Sequence, residues 1–207
     1  MANLCLQVID NFFPNPQAVR QKALATPIEV TGGNPGLTSA NIDVAKNMRH
    51  IGRLLKIKPD YVHLKFVSLF RITRGSDVIR DTDIHADGPV YAGVCFLNLP
   101  EQCSGGTTFF RHKETGLEAW PTRRQLTSLI AEGRLPESVK REKDLVLYWE
   151  EQGSDRSRWE PTIHVPMAFN RALFYYGNQF HTMTSWLEFG ETKDTARLTQ
   201  VYFFHEL

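Results

Sequence analysis

The chain is poor in cysteine, in net charge and in long apolar runs, and each shortage excludes something. Its 207 residues include three cysteines, Cys5, Cys95 and Cys103, odd in number and without Cys-x-x-Cys spacing. That argues against a disulfide framework and for a reducing, cytoplasmic compartment. Lysine and arginine number 24 against 23 acids, a net charge of +1. The balance offers no broad attraction for nucleic acid or an anionic membrane surface, so neither is expected as a partner. No apolar run approaches the roughly 20 residues that span a bilayer. The opening "MANLCLQVIDNFFPNP" lacks the basic start and apolar core of a signal peptide. Repeats and low-complexity linkers are missing too.

What is there is ordinary globular material, 42% hydrophobic and 23% charged, enough for one domain with an elaborated edge. "LCLQVIDNFF" (4–13) reads as a strand, and 15–25 as a helix with Asn15 as its cap and Pro16 in the first turn. Gly and Pro make 31–41 a loop, and 42–55 reads as a second helix. From 61–73 onward, apolar β-branched and aromatic runs alternate with turns, at 90–98, 107–111, 145–149, 161–166, 171–176 and 196–204. Many short strands after early helices predict an antiparallel barrel or jelly roll. The stretch 116–144 is helix-like, with Leu126, Leu129 and Ile130 at helical spacing and a stop at Gly133.

Chemistry enters with "HAD" at 85–87. On a strand, residues two apart point to the same side, so His85 and Asp87 bring an imidazole and a carboxylate together. Farther on, a strand ends at Tyr176, a Gly-Asn turn follows, and then His181. On the terminal strand Arg197 and Thr199 share a face with Val201 and Phe203. That face is otherwise apolar and therefore inward. A buried guanidinium is costly without an anion, and a hydroxyl two residues on suits a carboxylate clamp. Two histidines and a carboxylate on one face of a metal leave the opposite positions open, the facial arrangement of non-haem iron(II) oxygenases.

In order and context, "HAD", "VCFLN", "SGG" and "TTFF", followed by His181 and Arg197-x-Thr199, resemble the iron(II)- and 2-oxoglutarate-dependent oxygenases, nearest to the prolyl-hydroxylase-like branch. The match covers 60–110 and 165–205, and "VIDNFFPNPQAVRQKAL" resembles the start of small bacterial members. The resemblance implies a mainly β fold with flanking helices (α+β), a double-stranded β-helix or cupin-like jelly roll. It implies Fe(II) on His85, Asp87 and His181, 2-oxoglutarate as co-substrate on Arg197 and Thr199, and hydroxylation with release of succinate and carbon dioxide. Against the family pattern, Thr107 replaces a common acidic residue, and Phe70 and Phe96 stand in for tyrosines that often hold the co-substrate. One oxygenase-like domain, 1–207, is expected: strand and helices in 1–60, barrel core in 61–110 and 161–207, and a helical insertion in 111–160.

Each assignment has competitors. His112, His164 and His205 are other candidates for the third ligand, and Asp194 or Glu188 for an ion pair with Arg197. Arg71 is an alternative anion contact, Asn98 a strand-end turn residue, and Cys103 a bystander with no identifiable base. The rival function is a catalytically degenerate ligand- or partner-binding module on the same barrel; a metal-dependent isomerase or hydrolase on a cupin barrel is a third. The insertion carries Trp120, Trp149 and Trp159 among Arg123, Arg124, Arg156 and Arg158. It is expected either to pin itself to the barrel or to wall the mouth. The expected substrate is a small molecule or amino-acid-like group, or a peptide or protein side chain.

Overall fold

Alternation along the last strand sets the layering of the molecule. In the computed structural model, which describes residues 6–31, 35–42, 51, 64–78, 83–88, 90–184 and 188–206, that strand runs Arg197–Glu206. Leu198, Tyr202 and Phe204 point outward into a core closed by Phe12, Phe13 and Ala23. Val201 and Phe203 point inward with Phe96, Phe109 and Leu173. Full burial of a Leu or Phe is worth about 1.5–3 kcal/mol, and a one-residue slip would turn every side chain to the wrong layer. Register is therefore fixed by hydrophobicity.

The elements, in chain order, are β1 (Leu6–Ile9), α1 (Pro16–Ala25), β2 (Val30–Thr31), β3 (Leu37–Thr38), β4 (Leu64–Thr73), β5 (Tyr91–Phe96), β6 (Gly106–His112), α2 (Arg123–Ala131), α3 (Glu142–Ser154), β7 (Trp159–Pro166), β8 (Ala172–Tyr176), β9 (His181–Thr184) and β10, the terminal strand. Seven strands form one sheet in the order β1-β8-β5-β10-β4-β3-β2, and three form a second, β7-β6-β9. All pairings are antiparallel. The inner core lies between them, Val94, Leu173 and Val201 of the large sheet facing Phe109, Val165 and Met183 of the small one. This is the expected double-stranded β-helix. As read from the sequence, the Asn15 side chain accepts from the Ala18 amide at 3.2 Å to start α1. Asn98 follows β5 and bonds both ways to the start of β10, accepting from the Leu198 amide and donating to the carbonyl of Ala196, the residue before that strand.

Several elements differ from expectation. The run 145–149 is not a strand; it lies inside α3. Leu145, Tyr148, Trp149 and Gln152 are buried at positions i, i+3, i+4 and i+7, a helical stripe, and the Asp144 carboxylate accepts from the Arg141 amide at the helix start. The helix predicted within 116–144 is α2, begun by a reciprocal Thr122–Gln125 cap and followed by Gly133 at φ +65. Leu126 and Leu129 are buried, but Ile130 is exposed. The loop 31–41 contributes β2 and β3 to the sheet edge. The predicted helix 42–55 lies outside the described residues apart from Ile42, whose amide donates to the Ser68 carbonyl, and Ile51, helical and fully buried. No helix among the described residues is long and apolar enough to cross a membrane.

Candidate metal centre and anion pocket

Backbone pairing brings the two halves of the sequence motif together. The His85 amide donates to the His181 carbonyl at 3.1 Å, and the His181 amide returns the bond at 2.9 Å. His85 thus forms a single β-bridge beside β9 instead of lying in the continuous strand expected. The rings come within 4.7 Å, centroid to centroid. The Asp87 amide is tied to the Gly177 carbonyl at 2.6 Å. Candidate ligand atoms of His85, Asp87 and His181 all lie within 4.8 Å of one another. His85 Nε2 is 3.8 Å from Asp87 Oδ1, and His181 Nε2 is 3.5 Å from Asp87 Oδ2. Ligands at roughly 2.0–2.2 Å from a common ion stand about 3 Å apart when adjacent, so a small contraction closes this set on a metal.

The donor chemistry fits a divalent ion. His85 Nδ1 is 2.9 Å from the Asp83 carbonyl, and His181 Nδ1 is 2.8 Å from the Gln179 carbonyl. A carbonyl only accepts, so each Nδ1 carries a proton, and Nε2 is the nitrogen left to ligate a metal beside Asp87. This is the outer support that metal-binding histidines ordinarily have. Burial, partly offset by the Asp87 charge, brings the His181 pKa down to about 4, which keeps its ring neutral.

The same cavity is also cationic. Arg197 and Thr199 are buried, and neither Arg197 Nε nor Thr199 Oγ1 has a hydrogen-bond partner among the described residues. The Arg197 guanidinium lies 5.4 Å from the Phe96 ring centroid and 6.0 Å from that of Phe189. Burial and the neighbouring Arg71 lower its pKa to about 10; it remains charged at neutral pH. The rival ion pair with Asp194 is not formed, because Asp194 is bound to Arg20 at 2.9 Å. Arg71, His85, Asp87, Tyr175, His181 and Arg197 all line one cavity of about 640 Å³.

The other expected histidines fall elsewhere. His112 is buried against Trp149 and Trp159, His164 Nδ1 is 2.8 Å from Thr108 Oγ1, and none of His112, His164 and His205 lines the cavity. Phe70 does not face the site; it belongs to the outer core. Phe96 faces inward beneath Arg197. Cys95 and Cys103 are free. From the insertion, Trp120 and Trp149 reach the cavity wall, whereas Trp159 and all four insertion arginines do not. Helix α3 approaches the metal-site segment closely: the Ile84 amide bonds to the Gly153 carbonyl at 3.0 Å. A Cβ on Gly153 would collide with the Ile84 carbonyl oxygen, so glycine there lets the helix brace His85 from behind.

One site residue was hidden in the sequence. Tyr175, which reads as core aromatic packing, places its hydroxyl 2.9 Å from His181 Nε2 and 3.4 Å from Asp87 Oδ2. With Nδ1 protonated, Nε2 accepts and the phenol donates. Burial first, and then the Asp87 charge, raise the phenol pKa well above its ordinary value. The available signal was parity: Tyr175 shares the inward face of β8 with Leu173.

A family model described as "Family of unknown function (DUF6445)" matches residues 79–204, more than half of the chain and all five residues of the triad and clamp. The chain belongs to this family. No curated protein matches the sequence. Among solved structures, this DUF6445 chain is similar to the Kdo hydroxylase KdoO, a non-haem Fe(II) α-ketoglutarate-dependent dioxygenase in complex with cobalt(II). The TM-score is 0.53 at 16% identity, covering 97% of this chain and 79% of that one. It is similar also to the α-ketoglutarate-dependent carbocyclase SnoK of nogalamycin biosynthesis (TM-score 0.53, 12% identity, 98% and 80% covered). A third is the Fe(II)/α-ketoglutarate-dependent dioxygenase TqaL (TM-score 0.51, 9% identity, 97% and 82% covered). Identities this low establish a shared fold, that of the iron(II)/2-oxoglutarate dioxygenases.

Proposed function

We propose that this chain is a non-haem iron(II)- and 2-oxoglutarate-dependent dioxygenase. The observation that carries the reading is the convergence of His85, Asp87 and His181 at one cavity that Arg197 also lines, with Arg197 Nε and, two residues on, the fully buried Thr199 Oγ1 both unanswered among the described residues. In this reading the three side chains hold Fe(II), while Arg197 and Thr199 bind the distal carboxylate of 2-oxoglutarate by charge-assisted and neutral hydrogen bonds. Bound iron supplies dioxygen activation coupled to decarboxylation of the co-substrate, with succinate and carbon dioxide released. The chain's own part is geometry. The β-bridge between His85 and His181 fixes the imidazoles, and the two backbone carbonyls hold their tautomers. Val94 and Val201 give the cavity apolar walls that exclude water.

Residues 1–207 act here as one oxygenase-like domain in a cytoplasmic setting. The insertion supplies Trp120 and Trp149 as a wall over the mouth, shaping entry for a small-molecule or amino-acid-like substrate, or a peptide or protein side chain. The test is anaerobic iron(II) titration followed by 2-oxoglutarate and air. Stoichiometric iron binding and iron-dependent succinate release are expected. A rival reading, a ligand-binding module without catalysis, draws on the Tyr175 hydroxyl already bonded to His181 Nε2. Tight 2-oxoglutarate binding with no succinate formed would favour it.

A further inference from the structure

The cavity holds one cation more than a single carboxylate clamp needs. On the paired strands β4 and β10, Arg71 lies directly across from Thr199, and Thr73 across from Arg197. Cross-strand partners share a face; Arg71 and Arg197 both line the cavity, and Thr199 is buried on the same face between them and the core. Thr73 is already engaged, its hydroxyl bonded to the Pro35 carbonyl at 3.3 Å. The other three are not: Arg71 Nε, Arg197 Nε and Thr199 Oγ1 are buried without partners. No ion pair reaches either arginine among the described residues. Arg71 feels the opposite charge of Asp87, and Arg197 the like charge of Arg71.

Two adjacent, partly desolvated cations repel, and a fold holds them together at lower cost when anions answer both. One carboxylate on Arg197 and Thr199 leaves Arg71 with only the neighbouring charge of Asp87, which a bound metal would share. Diagonal partners on neighbouring strands stand roughly 7–8 Å apart, within reach of a four- or five-carbon diacid. We propose that the cavity is a two-arginine dicarboxylate receptor that works without metal: Arg197 and Thr199 take one carboxylate, and Arg71 takes the second at the metal end. This deepens the proposed function by giving the co-substrate a second protein anchor, but the receptor itself does not depend on iron.

The test uses the full chain with a chelator present, reading tryptophan fluorescence (Trp120 and Trp149 line the cavity) or calorimetric heat. The probes are glutarate and butyrate, which differ by the second carboxylate. Glutarate should bind at least about tenfold more tightly, given about 1.5–3 kcal/mol for a hydrogen bond to a charged group. Arg71→Met should reduce glutarate affinity to that of butyrate and leave butyrate nearly unchanged, and Arg71→Lys should recover part of the difference. Arg197→Met should weaken both probes. Equal affinity of the parent for the two acids, binding of neither, or unchanged glutarate affinity in folded Arg71→Met would overturn the inference. Iron-dependent succinate release decides the oxygenase reading separately, so either proposal can fail while the other stands.

Discussion

Two arginines, one on the helix packed outside the large sheet and one on the sheet's inner face, are almost equally buried and entirely differently served. Arg20 of α1 is 2% exposed, and Arg197 at the start of β10 is 6% exposed. Arg20 donates to the Leu97 carbonyl and to both the carbonyl and carboxylate of Asp194, each at 2.9 Å. Arg197 has only the faces of two phenylalanines, and its Nε is unanswered. Burying an unpaired charge costs several kcal/mol. The outer layer resolves that cost within the fold, by pinning the first helix to the β10 approach. The inner layer does not, and what remains there is capacity to bind an anion. A buried guanidinium left unsatisfied in the same cavity as a histidine–carboxylate cluster distinguishes a site from a core.

The largest effect that would break this contrast lies at the triad. His181→Ala or His85→Ala should weaken iron(II) binding by at least about a hundredfold, beyond what losing an outer partner of a ligand costs. Arg20→Met should leave it unchanged. Equilibrium titration against a competing chelator reads both. Undiminished affinity in His181→Ala would remove that residue from the proposed ligand set.

Next comes the direct comparison of the arginines. Arg197→Met should weaken 2-oxoglutarate binding about tens- to thousands-fold, the 2–5 kcal/mol that truncating one partner of a buried charge pair costs. It should not lower the unfolding free energy of the ligand-free protein. Arg20→Met should do the reverse. It leaves the buried Leu97 carbonyl without its guanidinium donor, a loss of about 1–3 kcal/mol, with co-substrate affinity intact. Urea unfolding and calorimetry on both variants check the pair. If both lose stability equally, Arg197 is a structural residue.

Much of this was legible because parity along a strand is a strong constraint. Arg197, Thr199, Val201 and Phe203 had to share a face, and His85 and Asp87 had to point the same way, even though the local structure proved to be a bridge. The same rule, applied to "FRIT" at 70–73, separates Phe70 from Arg71: only one of the two can face the site, and it is Arg71. Other features were not readable. "LVLYW" has the composition of a strand, and the charged flanks that make it a helix decide only when the period is counted over both turns. Strand β9 is short and polar, and it is a strand because β6 pairs with it. Tyr175 looks like any core aromatic until the turn at 177–180 folds His181 back over it.

A smaller effect follows from acid. His181 has a folded pKa of about 4, lowered mainly by burial, against about 6.5 in an unfolded chain. Below the unfolded value the unfolded chain takes up a proton that the folded chain refuses. Stability of the metal-free protein should therefore fall as pH drops from about 6.5 to about 4, by up to about 3 kcal/mol from this residue. His181→Asn should flatten that part of the profile, measured as urea midpoints with a chelator present. A profile unchanged by the substitution would mean that His181 is not held neutral by the fold.

The smallest predicted effect sharpens the inner side of the comparison. In the ligand-free site the Tyr175 phenol donates to the same His181 nitrogen that the proposed metal needs. Binding iron must break that bond, and a hydrogen bond is worth about 0.5–1.5 kcal/mol net. Tyr175→Phe removes the competing donor and keeps the ring, which packs edge-on against Phe109 at 5.1 Å between centroids. Iron(II) affinity should then rise about two- to tenfold, with no more than a small loss of stability in the metal-free protein. Anaerobic titration of parent and variant against the same chelator gives the ratio. A fall in affinity would assign the hydroxyl the opposite role, that of supporting the bound ion, and the phenol would join the three side chains already converging there.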